Sequence, residues 1–65
     1  MTIVLTVEGM SCGHCEQTVE AALRDVPGVT DVEVDRTDER AVVRGDAAVT
    51  SLVGAVEDAG YTASV

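Results

Sequence analysis

Asp31-Val32-Glu33-Val34-Asp35 is followed by Arg36-Thr37-Asp38-Glu39 and then by Arg40-Ala41-Val42-Val43-Arg44, and these fourteen residues decide the fold. Val32 and Val34 alternate with acids, the pattern of a half-buried strand. The polar tetrad at 36–39 turns the chain, and the β-branched run after it returns as a second strand. The spacing predicts an antiparallel hairpin.

Working outward from the hairpin, each side carries one helix and one strand. Upstream, Thr2 to Val7 is aliphatic or β-branched without a breaker and reads as a strand that Glu8-Gly9 ends. Cys15, Val19, Ala22, Leu23 and Val26 then fall on one face of a helix, with Glu16 and Glu20 in its early turns and Pro27-Gly28 closing it. Downstream, Val49, Leu52, Val53 and Val56 form a second helical stripe, with Asp46 as the expected N-cap and Gly60 at the C-terminal cap. Tyr61, Ala63 and Val65 alternate with Thr62 and Ser64 as a last short strand. The order strand, helix, strand, strand, helix, strand is the α+β, ferredoxin-like βαββαβ plan, a four-stranded antiparallel sheet covered on one face by two helices. Residues 1–65 read as one domain, and the initiator Met1 just before the first strand favours a free-standing protein.

Composition narrows the function. Twelve Asp or Glu stand against four Arg and no Lys, a formal charge of -8. Such a polyanion repels nucleic acid and anionic lipid. A core of Val, Ala and Leu without Phe or Trp argues against a deep aromatic-lined cavity. No apolar run approaches the roughly 20 residues of a membrane span, and the N-terminus lacks a basic signal-peptide start, so a cytoplasmic location and no membrane insertion are expected. The acids form no paired-carboxylate constellation, so the chain does not read as an enzyme.

Chemistry concentrates in Met10-Ser11-Cys12-Gly13-His14-Cys15. Two cysteines separated by two residues, in a chain without an export signal, read as a metal or redox site. Cys12 falls in the loop after the first strand and Cys15 in the first helical turn, where backbone amides and the dipole favour thiolate. Two thiolates with no third obvious ligand suit a soft ion of low coordination number, and Cu(I) is the commonest such ion in cells, whereas structural zinc takes four ligands. His14 lies between the cysteines and is expected to point away from the ion while modulating their basicity. Met10 reads as a packing residue.

Gly9-Met10-Ser11-Cys12-Gly13-His14-Cys15 and Glu57-Asp58-Ala59-Gly60-Tyr61 resemble the metal loop and closing Ala-Gly-Tyr segment of heavy-metal-associated domains of the Atx-type and CopZ-type copper chaperone family. The resemblance spans the whole chain. It implies Cys12 and Cys15 as metal ligands, Met10 as a buried support beneath the loop, Tyr61 beside the metal, and His14 tuning the thiols. It also implies a partner: the metal-binding domain of a copper-transporting P-type ATPase or a copper-responsive regulator, with a metal-bridged homodimer as a further form. Relatives that prefer zinc or cadmium often place Asp before the first cysteine, where this chain has Ser11. Two other readings share the motif. One is a detached metal-binding domain for Ag(I), Hg(II) or Zn/Cd. The other is a thiol-disulfide oxidoreductase, since Cys-Gly-His-Cys is also a disulfide-isomerase tetrapeptide; that class needs a longer chain and a Trp before the first cysteine.

Overall fold

In the computed structural model, which describes residues 1–65, the hairpin forms the middle and one edge of a single sheet. β1 (Thr2–Glu8), α1 (Gly13–Arg24), β2 (Val29–Asp35), β3 (Arg40–Gly45), α2 (Val49–Asp58) and β4 (Thr62–Ser64) follow in chain order. β2 and β3 pair antiparallel with Val32 opposite Val43, Glu33 opposite Val42 and Val34 opposite Ala41. β1 lies along the other side of β3, with Val4 opposite Val42 and Leu5 opposite Ala41, and β4 adds to the outside of β1. The order β2-β3-β1-β4, antiparallel throughout, is the split βαβ sheet that the sequence order implies.

Period two along the strands and period 3.6 along the helices bring the apolar stripes together on one side. Leu5, Val7, Val32, Ala41, Val43 and Ala63 meet Val19, Leu23, Leu52 and Val56 in one cluster. Each fully buried Leu or Val there contributes roughly 1.5–3 kcal/mol relative to exposure. The core is aliphatic throughout, and Met10 is buried in it at the site end. The opposite face of the sheet, which carries Thr2, Val4, Thr6, Arg40 and Arg44, is exposed.

Side chains of α1 close the outer edge of β2. The Arg24 guanidinium donates to the Val32 carbonyl at 3.4 Å and pairs with Glu20 at 3.0 Å and Asp31 at 3.5 Å. The Glu16 carboxylate accepts the Arg36 N–H at 2.8 Å. These contacts satisfy backbone groups that would otherwise template a foreign strand.

Two expectations are corrected. α2 is capped by Ala48, without a side-chain hydrogen bond, rather than by Asp46. The Asp46 N–H is tied to the Gly28 carbonyl at 2.9 Å, and the backbone stays extended through Ala48 at φ -75 and ψ 141, so the helix starts beyond that side chain's reach. Val65 lies outside β4 and is 82 % exposed, and Tyr61 precedes the strand. The helix C-terminal turn holds Tyr61 instead: Gly60, at φ 98, donates to the Glu57 carbonyl at 2.9 Å and Tyr61 donates to Val56 at 3.2 Å. That pair of bonds is a Schellman motif, which sets the direction in which the Tyr61 ring leaves α2.

Candidate metal centre

Gly9, at φ 97, turns the chain out of β1 toward α1. A Cβ placed there would lie 3.6 Å from the Tyr61 ring, so the loop and the ring are neighbours. Cys12 is the N-cap of α1, extended at φ -158 and ψ 172. N-caps are usually Ser, Thr, Asp or Asn, whose oxygens bond the first free helical amides. Cys12 makes no such side-chain bond; its carbonyl accepts the Cys15 N–H at 3.0 Å and the Glu16 N–H at 3.3 Å, and its thiol stays available.

The two Sγ atoms stand 3.6 Å apart. That is far beyond the roughly 2.05 Å of a disulfide, so both cysteines are free thiols. Two sulfurs that each sit about 2.3 Å from an ion are at most about 4.6 Å apart, so this pair fits around one ion. Cys12 is exposed, whereas Cys15 is half-buried against the core. No third His, Cys, Asp or Glu joins them in a ligand cluster. His14 is exposed on the first turn of α1.

Electrostatics separates the two sulfurs. The Cys15 thiol is pulled down from 9.0 to about 6, first by the Tyr61 hydroxyl, then by the Ser11 N–H, the Ser11 hydroxyl and Cys12. Ser11 Oγ lies 3.7 Å from Cys15 Sγ. The Tyr61 phenol is pushed above its ordinary 10.0, chiefly by its bond to Cys15, then by desolvation and by the cysteine charges. It therefore remains a donor when Cys15 is a thiolate. Cys15 is thus the anchored anion of the pair, and Cys12 is the outer sulfur on the loop.

Of the residues singled out in the sequence, Cys12 and Cys15 bring their sulfurs together, the Tyr61 ring lies against the same loop at Gly9, Met10 is buried at this end of the core, and His14 is exposed. Ser11 was read only as the residue preceding the first cysteine, and the structure places its hydroxyl 3.7 Å from Cys15 Sγ. No periodicity signals this, because Ser11 precedes the N-cap of α1 and the loop's own path carries its hydroxyl back to Cys15. Thr18 was not singled out; its hydroxyl donates to the His14 carbonyl at 3.0 Å and ties down the first turn of α1.

Comparison with known proteins agrees with this geometry. The model of the heavy-metal-associated domain matches residues 4–62. The copper chaperone CopZ of Staphylococcus aureus strain bovine RF122 / ET3-1 is 46 % identical over 61 residues, which cover 89 % of this chain and 90 % of that one. A solved CopZ metallochaperone superposes with a TM-score of 0.94 at 40 % identity, covering 98 % of this chain and 100 % of its own. A copper-binding domain from HMA7, a P-type ATPase, superposes with a TM-score of 0.94 at 36 % identity, covering 97 % and 89 %.

Proposed function

Since the chain belongs to the heavy-metal-associated domain family, we propose that it is a cytoplasmic copper carrier, which binds one Cu(I) between the Cys12 and Cys15 thiolates and passes it on by thiolate exchange. The observation that carries this reading is the pair of free thiols 3.6 Å apart on an exposed loop with no third donor grouped around them. A soft ion of low coordination number fits such a pair, and the open side of the ion admits a further sulfur. The acceptor we assign is the Cys-x-x-Cys domain of a copper-transporting P-type ATPase, a copper-responsive regulator being the other taker of the same cargo. A second copy of the chain could share the ion as a metal-bridged homodimer.

The residues divide the work. Cys15, ionised at neutral pH by its Tyr61 and Ser11 donors, holds the ion from the helix side. Cys12, exposed and at the helix boundary, is the ligand that an incoming thiolate displaces first. Addition of the partner's sulfur gives a three-coordinate ion before Cys12 leaves, so the ion is never released to water. No bond in any organic substrate is made or broken, and the protein acts as a carrier rather than an enzyme. No helix of the chain is long and apolar enough to cross a membrane. The disulfide-isomerase reading of Cys-Gly-His-Cys is set aside, because the chain has the split βαβ fold rather than that of thioredoxin.

Anaerobic Cu(I) titration followed by native mass spectrometry tests the assignment. One Cu(I) per chain is expected, with affinity falling by orders of magnitude in Cys12→Ser and Cys15→Ser while circular dichroism stays native. Retention of near-native affinity in the double Ser variant contradicts it.

A further inference from the structure

The two helices run antiparallel. A Cβ on Gly28, just past α1, would touch Asp46 and Ala47, just before α2, and one on Gly9, before α1, would touch Tyr61, just after α2. On their outer side they leave an open groove with Ala22 and Val26 along one wall and Ala55 and Ala59 along the other. The only charged residues that line it are Asp25 and Asp58. Asp25 is the C-cap of α1 and Asp58 the last residue of α2, so the antiparallel run sets them at opposite ends of the groove. Ser51, which lines the Asp25 end, lies about two helical turns, or about 10 Å, from Asp58.

Two independent features mark this groove. The first is uncompensated charge. Both aspartates are exposed, and the ion pairs of the chain engage Glu16, Glu20 and Asp31 instead. Arg24, although next to Asp25 in sequence, sits on the opposite flank of α1 and donates to the Val32 carbonyl of β2. Arg36 is held at the β2–β3 turn by Glu16, and Arg40 and Arg44 belong to the open face of the sheet, so no cation of this chain serves the groove. The second feature is Gly54, which lines the groove from the interior of α2. Glycine weakens a helix interior relative to alanine, yet no atom of the chain lies within 4 Å of a Cβ added there, and its φ is not positive. Neither packing nor backbone conformation within the chain calls for glycine. It leaves the α2 backbone bare on the groove side, where a second backbone can come close.

We propose that this groove is a docking site, separate from Cys12 and Cys15, for a basic amphipathic helix of a partner protein, with Lys or Arg at positions i and i+7 and small aliphatic side chains at i+3 and i+4 between them. The step from i to i+7 advances about 10 Å along a helix, which brings one cation to each aspartate. Charge selects the base, because every charged group lining the groove is an acid and none has a partner in this chain. Shape selects a closely approaching helix, because the walls are mostly alanine and Gly54 adds no side chain. A second copy is a poor occupant: a two-fold contact of the groove with itself would set Asp25 and Asp58 against acids, in molecules that each carry a formal charge of -8. The docked helix leaves both thiols free to exchange metal.

The test uses the whole chain and a synthetic helical peptide, acetyl-Ala-Gln-Ala-Lys-Ala-Gln-Ala-Leu-Ala-Gln-Lys-Ala-Gln-Ala-amide, at near-physiological salt, read by heteronuclear NMR. Saturable shift changes are expected at the amides of residues 21–27 and 51–59. Asp25→Asn with Asp58→Asn, or a peptide with Gln in place of both Lys, weakens binding between about twofold and about thirtyfold, the range for two exposed ion pairs. Gly54→Ala weakens binding about fivefold or more, because its methyl intrudes on the contact, while the variant itself unfolds at higher urea than the parent. Cu(I) affinity of all these variants stays that of the parent, so this proposal can fail while the carrier assignment stands, and the reverse. Shifts centred on the metal loop or the open sheet face, equal binding of the Gln peptide, full binding by Gly54→Ala, or no saturable change overturn it. Concentration-dependent shifts of the same residues without peptide also overturn it, by giving the groove to a second copy.

Discussion

Changing Tyr61 to Phe removes one hydroxyl and keeps the ring that packs against the core, so it isolates the effect of that donor on Cys15. Four groups lower the Cys15 thiol from 9.0 to about 6, and Tyr61 is the largest of them. Loss of the largest lowering contribution moves the titration midpoint of Tyr61→Phe up from about 6 toward the ordinary 9.0. The sign follows from what the hydroxyl bonds: it donates to the thiolate, and its loss penalises the charged form. At pH 6, where about half of the parent's Cys15 is ionised, the variant's ionised fraction then falls well below one half. Alkylation of Cys15, resolved from Cys12 by peptide mass spectrometry across about pH 4–10, measures the midpoint. Comparing midpoints rather than rates avoids the change in intrinsic nucleophilicity that accompanies any change in thiol pKa. A midpoint that stays near 6 in a folded Tyr61→Phe protein refutes the assignment of Tyr61 as the main donor.

Other outcomes follow from the same geometry. Because the folded Cys15 pKa is depressed to about 6 from 9.0, its contribution to stability is full above pH 9 and disappears as pH falls through 6. The stability advantage of the metal-free parent over Cys15→Ser should therefore grow between those limits in urea titrations, and a flat difference contradicts the shift. Leu52, fully buried where α2 meets the sheet, should lose about 2–5 kcal/mol on change to Ala, and a urea-denaturation loss under about 1 kcal/mol would mean that the site collapses around the cavity. Two glycines should respond oppositely to Ala. Gly45, at φ 131, would drive a Cβ into the Gly28 carbonyl oxygen and to 2.9 Å from the Thr30 nitrogen, and should lose about 2 kcal/mol or more. Gly54, with nothing within 4 Å of its added Cβ, should gain about 1 kcal/mol. Thermal or urea denaturation of both variants checks the contrast.

The elements were legible in the sequence because each apolar stripe had only one consistent period. Val32 and Val34 could face the core only on a strand, and Val19 with Leu23 only on a helix. Gly60 announced the end of α2 because its positive φ is what a Schellman turn requires. Asp46 misled because capping depends on where the backbone turns helical, and its N–H was already committed to Gly28, eighteen residues earlier in the chain. Val65 misled because alternation continues past the point where pairing with β1 stops at Ser64. At the site, the cysteine pair was visible as a local spacing. The convergence of Tyr61 with Ser11 on the same sulfur was not, because it depends on how the end of α2 packs over the loop after β1.

The central claim is that two thiolates hold Cu(I) in a site open enough to hand the ion directly to another pair. Stopped-flow transfer from the Cu(I)-loaded chain to a Cys-x-x-Cys acceptor domain, run over a range of acceptor concentrations and against a non-interacting chelator, tests it most directly. The account predicts a rate that rises with acceptor concentration and far exceeds spontaneous release. It also predicts that Cys12→Ser still forms a metal-bridged complex through Cys15. A rate that is independent of acceptor concentration and equal to spontaneous release would contradict direct exchange, and a bridged complex formed by Cys15→Ser but not by Cys12→Ser would reverse the order in which the ligands leave.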